Sequence, residues 1–278
     1  MRVLVAGCAG FIGYHLSRRL LDEGHAVLGV DNFLSGQPQN AAALRAVAGF
    51  QFIEADIARP LPEIPAVDCI FNMACPASPV DFRDKAIAIM DVCSRGMQHL
   101  LEIARRDRAV ILQASTSECY GDPLEHPQRE TYWGNVNPIG PRSPYDEGKR
   151  FAEALCMSYH RVHGVATRLV RIFNTYGPRM RVDDGRALPT FIDQALAGRP
   201  ITVHGDGSQT RSFCYVADLV DGILRLARSD VVEPVNIGND AEITLRQAAE
   251  AVVELTGSRK RNQLRAAPGM TRSDAAWT

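Results

Sequence analysis

The sequence predicts an α/β fold, a doubly wound parallel sheet with a smaller C-terminal lobe. Three observations predict it. Short apolar runs alternate with helix-length amphipathic stretches from Arg2 to about Ile172, the pattern of parallel strands joined by right-handed helical crossovers. The first of these runs, Arg2–Ala6, is apolar from Val3 onward, the pattern of a parallel strand covered on both faces. After about Asn174 the texture becomes turn-rich, with Gly177-Pro178, Asp183-Asp184-Gly185 and Gly205-Asp206-Gly207.

Each element has a local reason. Arg2–Ala6 is a β-branched-rich run ended by glycine. Phe11–Glu23 carries Phe11, Ile12, Leu16, Leu20 and Leu21 at helical spacing, and Gly24 stops it. Ala26–Val30 is the next strand and ends on Asp31. Strands follow near Phe50–Ala55 and Cys69–Met73, then a helix from about Ile87 to Arg106 and a strand at Ala109–Ala114. A helix over roughly Tyr145–His163 and a strand at Ala166–Ile172 close the regular series. A further helix is expected near Thr190–Ala197. The domains expected are 1–173 for the main body and 174–278 for the lobe, with Tyr215–Ala227 returning to the main body.

Composition narrows the function classes. In 278 residues, 46% are hydrophobic and 23% charged, ordinary for a globular protein with a filled core. The net charge of -1 gives no global field for nucleic acid or an anionic membrane, so neither is expected as a partner. Lys85, Lys149 and Lys260 are the only lysines, which makes each of them informative. Seven cysteines are scattered without CxxC spacing or a histidine cluster, so no metal site is expected and the thiols read as reduced. The opening MRVLVAGCAGFIG runs directly into a strand and a glycine turn, and no apolar run has membrane-spanning length; a soluble, cytoplasmic protein is expected.

Gly7, Gly10 and Gly13 form GxxGxxG between the first strand and the first helix. Gly7 lets the chain turn, Gly10 lets backbone N–H groups approach a pyrophosphate, and Gly13 lets helix and sheet pack closely; the helix N-terminus, at Phe11 and Ile12, adds its partial positive charge. Asp31 ends the second strand, where an acid can hold ribose hydroxyls. It also repels a 2′-phosphate, and Asn32–Asn40 contains no arginine or lysine to receive one, so NAD is expected rather than NADP. Asp56 has two readings, a neighbour of the adenine or a helix cap. Asn32, Ile57 and Ala74, beside these strand ends, complete the candidate cofactor site of this Rossmann-type body.

Tyr145-Asp146-Glu147-Gly148-Lys149 gives YxxxK on a predicted helix. Four residues place both side chains on one face, where the ammonium favours the phenolate and suits tyrosine to act as a base. Seven tyrosines and three lysines over this length give about 0.08 such pairs by chance. Thr116, expected in the loop after the Ala109–Ala114 strand, is placed to share a substrate hydroxyl with Tyr145.

In this order the glycine triplet, acid and YxxxK resemble the extended short-chain dehydrogenases/reductases. Longer stretches are more particular: Ala114–Pro123 (ASTSECYGDP), Tyr132–Arg142 (YWGNVNPIGPR), Tyr145–Arg150, Ala74–Pro79, Arg171–Met180 and Gly205–Phe213 resemble the UDP-glucuronate decarboxylases, or UDP-xylose synthases, over nearly the whole chain. The resemblance implies resident NAD and a lyase outcome. Tyr145 takes the C4 hydroxyl proton as hydride leaves C4. The C4 ketone lies β to the carboxylate on C5, so carbon dioxide departs, C5 is reprotonated, and the hydride returns. It also implies that Ser117, Glu118 and Arg211 surround the departing carboxylate, where like charge from Glu118 raises its energy. Pro79, Asn174, Arg179 and Arg211 are implied to face the nucleotide sugar; for Arg179 the alternative is a solvated loop charge. A homodimer through the Tyr145 and Ile87–Arg106 helices is implied as well.

The sequence departs from the pattern at three places. Cys93 stands where the family has an asparagine thought to support the catalytic lysine through water, Asn72 where it has a histidine, and Pro268–Ala275, with Thr271 and Ser273, follows the usual C-terminal run only loosely. Two other readings remain. A 4-epimerase of UDP-sugars uses the same C4 oxidation but generally lacks the acid of Thr116-Ser117-Glu118. A non-catalytic NAD-binding protein could share the fold, against which Thr116, Tyr145 and Lys149 all stand intact.

Overall fold

The computed structural model describes residues 1–258 and 263–265; the divergent run Pro268–Ala275 lies outside the described residues. In chain order the elements are β1 (Arg2–Ala6), α1 (Phe11–Asp22), β2 (Ala26–Asp31), α2 (Pro38–Arg45), β3 (Phe50–Glu54), β4 (Cys69–Asn72), α3 (Ala86–Asp91), α4 (Met97–Asp107), β5 (Val110–Thr116), α5 (Ser143–His163), β6 (Thr167–Ile172) and β7 (Thr175–Tyr176). They continue as α6 (Ala187–Leu196), β8 (Thr202–His204), β9 (Thr210–Ser212), β10 (Cys214–Tyr215), α7 (Val216–Ala227), β11 (Pro234–Ile237), β12 (Glu242–Thr244), α8 (Leu245–Thr256) and β13 (Gln263–Arg265).

Two compact units emerge. The larger comprises Met1–Ala77, Asp81–Ile172 and Val216–Ile237. Its seven strands form one parallel sheet in the order β3-β2-β1-β4-β5-β6-β11, the doubly wound Rossmann-type arrangement. The strand order reverses between β1 and β4, and ligands bind at such switch points, outside the carboxyl ends of the strands. Alternation along β1 shows why it is apolar from Val3 to Ala6. Leu4 and Ala6 join Leu100, Leu101, Ala152 and Cys156 of α4 and α5 in one core cluster. Val3 and Val5, equally buried, point to the other face. There α1 buries Leu16, Leu20 and Leu21 and packs against α2 and α7; each such buried leucine contributes about 2 kcal/mol.

Several local features differ from the sequence expectation, among them β11, which adds a seventh strand to the sheet. Thr116 is the last residue of β5, not part of the following loop. α2 was not anticipated, although Pro38 in its first turn and the alanines behind it favour a helix. The Ile87–Arg106 helix is interrupted, because Val92–Gly96 forms a π-helical turn between α3 and α4. Such a turn holds an extra residue, which re-aims the side chains it carries.

The second unit comprises Ser78–Val80, Phe173–Tyr215 and the described residues from Gly238 onward. Its core packs Phe191 and Ala195 of α6 with Ile201, Val203 and, from α8, Leu245, Ala248, Ala249 and Val252. Thr244 and Gln247 form a reciprocal capping box at the start of α8. Among the described residues, no helix is long and apolar enough to cross a membrane.

One buried ion pair ties three elements of the larger unit together. Arg171 of β6 grips Glu153 of α5 with two bonds, Nε–Oε1 at 2.9 Å and Nη2–Oε2 at 2.7 Å. Its Nη1 donates to the Tyr120 hydroxyl at 3.0 Å, Tyr120 donates to Asn236, and Ser115 donates to Glu153. Removing one partner strands a buried charge, which costs about 3–5 kcal/mol, whereas replacing both by apolar groups is often nearly neutral. Arg171→Leu is therefore expected to lower unfolding free energy by about 3 kcal/mol in urea titrations, and Arg171→Leu with Glu153→Leu to recover most of that loss. A single variant as stable as the parent sinks this account.

Candidate active site

The glycine turn is built by close backbone approach. Gly7 has φ +80°, and a Cβ there would lie 2.7 Å from Ala74 N. A Cβ at Gly13 would lie 2.0 Å from the Gly7 carbonyl oxygen, so α1 starts hard against the turn. A Cβ at Gly10 would meet only that same oxygen, at 3.2 Å; its remaining side is open space, the cradle that a pyrophosphate needs. Phe11 and Ile12 open α1, ahead of its i→i−4 ladder, where N–H groups are available to an anion.

A cavity of about 250 Å³ adjoins this turn, lined by Gly7, Gly10, Asp31, Asn32, Asp56, Ile57 and Ala74 among others. Asp31 accepts the Ala9 N–H at 3.0 Å and the Phe33 N–H at 2.8 Å. Two lone-pair sites on each oxygen leave capacity for ribose hydroxyls. Burial raises the Asp31 pKa, and the N–H bonds from Phe33, Ala9 and Asn32 oppose that rise. Gly36 was not anticipated: its absent side chain leaves room for the Asp31 carboxylate, which a Cβ would approach to 2.6 Å. Asp56 lines the cavity and caps a turn, accepting from Ala58 N at 2.9 Å; what it caps is not a helix. The donor set fits NAD: a glycine cradle, a helix N-terminus and an acid at the second strand's end.

The catalytic candidates cluster where β5 ends and α5 begins. Thr116 accepts from Glu118 N at 3.2 Å and so caps the short turn Ser117–Tyr120. Tyr145 is buried, its ring stacked on Phe82 with centroids 4.7 Å apart. Lys149 is 4% exposed; its Nζ donates to Ala114 O at 2.8 Å and lies 5.8 Å from the Tyr145 ring centroid. Burial works against its charge, but the acidic groups nearby, Cys75, Cys93, Tyr145 and Cys119, hold its pKa above the ordinary lysine value. Asn72 donates to Gln113 Oε1 at 2.7 Å and accepts from Ala74 N at 3.2 Å, fixing the turn after β4.

The second unit holds Pro79, Asn174, Arg179 and Arg211. Asn174 is exposed, and its carbonyl accepts from Cys214 N at 2.9 Å. Arg179 is exposed, with φ +66°. Arg211 is half-buried on β9, opposite Ile243, with Nη1 donating to Thr210 O at 2.7 Å.

Arg142 ends the YWGNVNPIGPR stretch, and its role is tertiary, invisible in that local run. It forms an ion pair with Glu118, its Nε lies 3.6 Å from Asp146 Oδ2, and its guanidinium carbon is 5.3 Å from the Phe82 centroid. The charge of Glu118 is thus partly compensated rather than bare. Asp146 is buried and its Oδ1 has no hydrogen-bond partner among the described residues. Burial pushes its pKa from 3.8 up to about 7, opposed by Arg142 and reinforced by Glu118. A carboxyl that holds its proton more tightly when folded favours folding fully below pH 3.8 and loses that contribution as pH rises through about 7. Asp146→Asn, which does not titrate, is expected to gain stability over the parent across that window and to keep a level advantage above it. Urea unfolding at several pH values checks this, and a pH-independent difference refutes it.

Comparison with known proteins agrees with this geometry. Residues 3–238 match the model of the NAD dependent epimerase/dehydratase family. UDP-glucuronic acid decarboxylase 5 of Arabidopsis thaliana is 50% identical over 256 residues, covering 92% of this chain and 74% of that protein. UDP-glucuronic acid decarboxylase 1 of the same plant is 49% identical over 255 residues, and the chain spans only 58% of its length. Among solved structures, UDP-glucuronic acid 4-epimerase from Bacillus cereus, in complex with UDP-glucuronic acid and NAD, superposes with a TM-score of 0.81 at 28% identity, covering 96% of this chain and 87% of the other. UDP-glucose 4-epimerase from Thermotoga maritima superposes with a TM-score of 0.85 at 26% identity, covering 99% and 87%. With a family match across most of its length and a glycine cradle, strand-end acid and tyrosine–lysine pair in the expected places, this chain belongs to the NAD dependent epimerase/dehydratase family.

Proposed function

We propose that this protein is a carboxy-lyase that converts UDP-glucuronate to UDP-xylose with NAD as a resident cofactor. The observation that carries the reading is the buried Lys149 ammonium, fixed to Ala114 O and facing the ring of Tyr145, beside the strand end that bears Thr116, Ser117 and Glu118. The half-identical decarboxylases support the reaction and the substrate.

Gly7, Gly10, Phe11, Ile12, Gly13, Asp31, Asn32, Asp56, Ile57 and Ala74 would hold the dinucleotide, with Tyr145 and Lys149 at its reactive end. NAD, when bound, supplies a reversible hydride acceptor. The chain's own groups move protons and hold charge. Tyr145 takes the proton of the C4 hydroxyl and later returns it, while Thr116 shares that hydroxyl and Lys149 offsets the phenolate charge. With a ketone at C4 the carboxylate on C5 is a β-keto acid, and its electrons can delocalise as carbon dioxide leaves. Ser117 and Glu118 flank that carboxylate, and the resemblance adds Arg211 to its surroundings. Glu118 destabilises it by like charge, an effect its pairing with Arg142 moderates. The second unit, with Pro79, Asn174, Arg179 and Arg211, serves the nucleotide sugar, and its arginines suit diphosphate oxygens. In domain terms, 1–173 forms most of the NAD-binding body, to which Val216–Ile237 returns, and the rest of 174–278 mainly forms the substrate lobe. We further propose a cytoplasmic homodimer through α5 and the α3–α4 helix, which expose Phe151, Val162, Ile87 and Met90; sedimentation distinguishes one copy from two.

The decisive experiment supplies UDP-glucuronate to the purified protein. UDP-pentose and carbon dioxide are expected; a retained carboxylate with inverted C4 would mean a 4-epimerase instead. Tyr145→Phe is expected to abolish exchange of the C4 hydride, lowering turnover by about 10³-fold or more. Glu118→Gln is expected to slow carbon dioxide release more than C4 oxidation, read by single-turnover absorbance of reduced NAD. Unchanged turnover in Glu118→Gln removes that acid from the mechanism.

A further inference from the structure

Cys75 and Cys93 reach each other from different elements. Cys75 lies in the turn after β4 and Cys93 on the π-helical turn Val92–Gly96. Their Sγ atoms are 3.7 Å apart. Cys93 is buried, while Cys75 is half-buried and lines the cofactor cavity with its neighbours Ala74 and Pro76. Gly148 leaves room for Cys93: a Cβ on it would come within 3.3 Å of that side chain.

The two thiols are unequal. The hydrogen bond from Cys93 lowers the Cys75 pKa to about 7 against the cost of burial, and the Lys149 ammonium adds to the lowering. Cys93 moves the other way, raised by its bond to Cys75 and by burial. Elsewhere burial dominates: it pushes Cys69 and Cys119 up to about 12 and raises Cys8 and Cys156 further. A thiolate-prone cysteine in a cavity wall, touching a second thiol, is the arrangement of a nucleophile with a resolving partner.

We propose that Cys75 and Cys93 are a redox-modification site, closing to a reversible disulfide in the wall of the cofactor cavity when a small peroxide reaches it, and that bound dinucleotide shields it. The Cys75 thiolate attacks one peroxide oxygen; the S–O bond forms, the O–O bond breaks, and the departing hydroxide takes a proton to become water. Cys93 then attacks the resulting sulfenic sulfur; the S–S bond forms, the S–O bond breaks, and the leaving hydroxide takes the Cys93 proton as a second water. Two thiols lose two electrons and one peroxide becomes two waters. The sulfurs need only close from 3.7 Å to the bonded distance of about 2.0 Å. Closure pulls on the segment whose Ala74 backbone abuts Gly7, so the same movement disturbs the pyrophosphate cradle. This inference is independent of which sugar the protein acts on.

The test treats the purified full chain, NAD-loaded and after its dinucleotide has been stripped, with about a tenfold excess of hydrogen peroxide, followed by alkylation and peptide mass mapping. The expected product is lighter by about 2 Da, joins the Cys75 and Cys93 peptides, and is reversed by dithiothreitol. Saturating NAD is expected to slow its formation by about fivefold or more. In Cys93→Ser the cross-link should vanish, leaving Cys75 to advance to its sulfinic acid. Should that variant fail to fold, mapping of the parent chain decides alone. Both thiols still alkylatable after peroxide, a cross-link to any other cysteine, or a rate indifferent to NAD overturns the proposal.

Discussion

Lys149 is a cation with almost no access to water, and what surrounds it organises the larger unit's chemistry. Removing an ammonium from water is costly unless hydrogen bonds and opposite charge replace its solvation. The carbonyl of Ala114, on the strand that ends in Thr116, supplies one bond. Cys75, whose thiol is drawn down to about 7, is the acidic group placed to supply compensating charge, and Cys93 and Tyr145 pack beside it. One buried charge therefore specifies where β5, α5, the turn after β4 and the π-helical turn must stand relative to each other. Tyr145 inherits its position from that arrangement, with Phe82 stacked on its ring.

A second layer of polar contacts holds the turn Ser117–Tyr120, which carries the acid proposed to act on the substrate carboxylate. Tyr120 is held at its hydroxyl by Arg171 and Asn236, and Cys119 contacts Glu153, the carboxylate that Arg171 grips. Glu118 is held by Arg142. A short helical turn between strand and loop would be mobile without such anchors, and one built this way keeps its acid in place through the reaction. The cost falls on Asp146, which shares Arg142 with Glu118 and sits buried with one oxygen unpartnered among the described residues.

Two residues that the resemblance marked as departures have local physical readings. Asn72 does structural work, joining Gln113 to the backbone of Ala74 beside Gly7. Cys93, on the π-helical turn, meets Cys75 across 3.7 Å, the contact on which the proposed redox site rests. The π-helical turn is what directs Cys93 there, and nothing in the local apolar spacing announces it.

What the sequence determined by itself is what neighbouring residues can specify: a glycine turn between strand and helix, an acid at a strand end, a tyrosine and lysine one helical turn apart, and the alternation that makes a parallel sheet. These are governed by backbone sterics and periodicity, which need no knowledge of distant partners. Only the tertiary structure decided that Phe82 stacks on Tyr145, that Arg142 serves both Glu118 and Asp146, that Gly36 makes room for Asp31, and that Cys75 faces Cys93. Most of these contacts join residues far apart along the chain, and their geometry is set by how the packed elements exclude water.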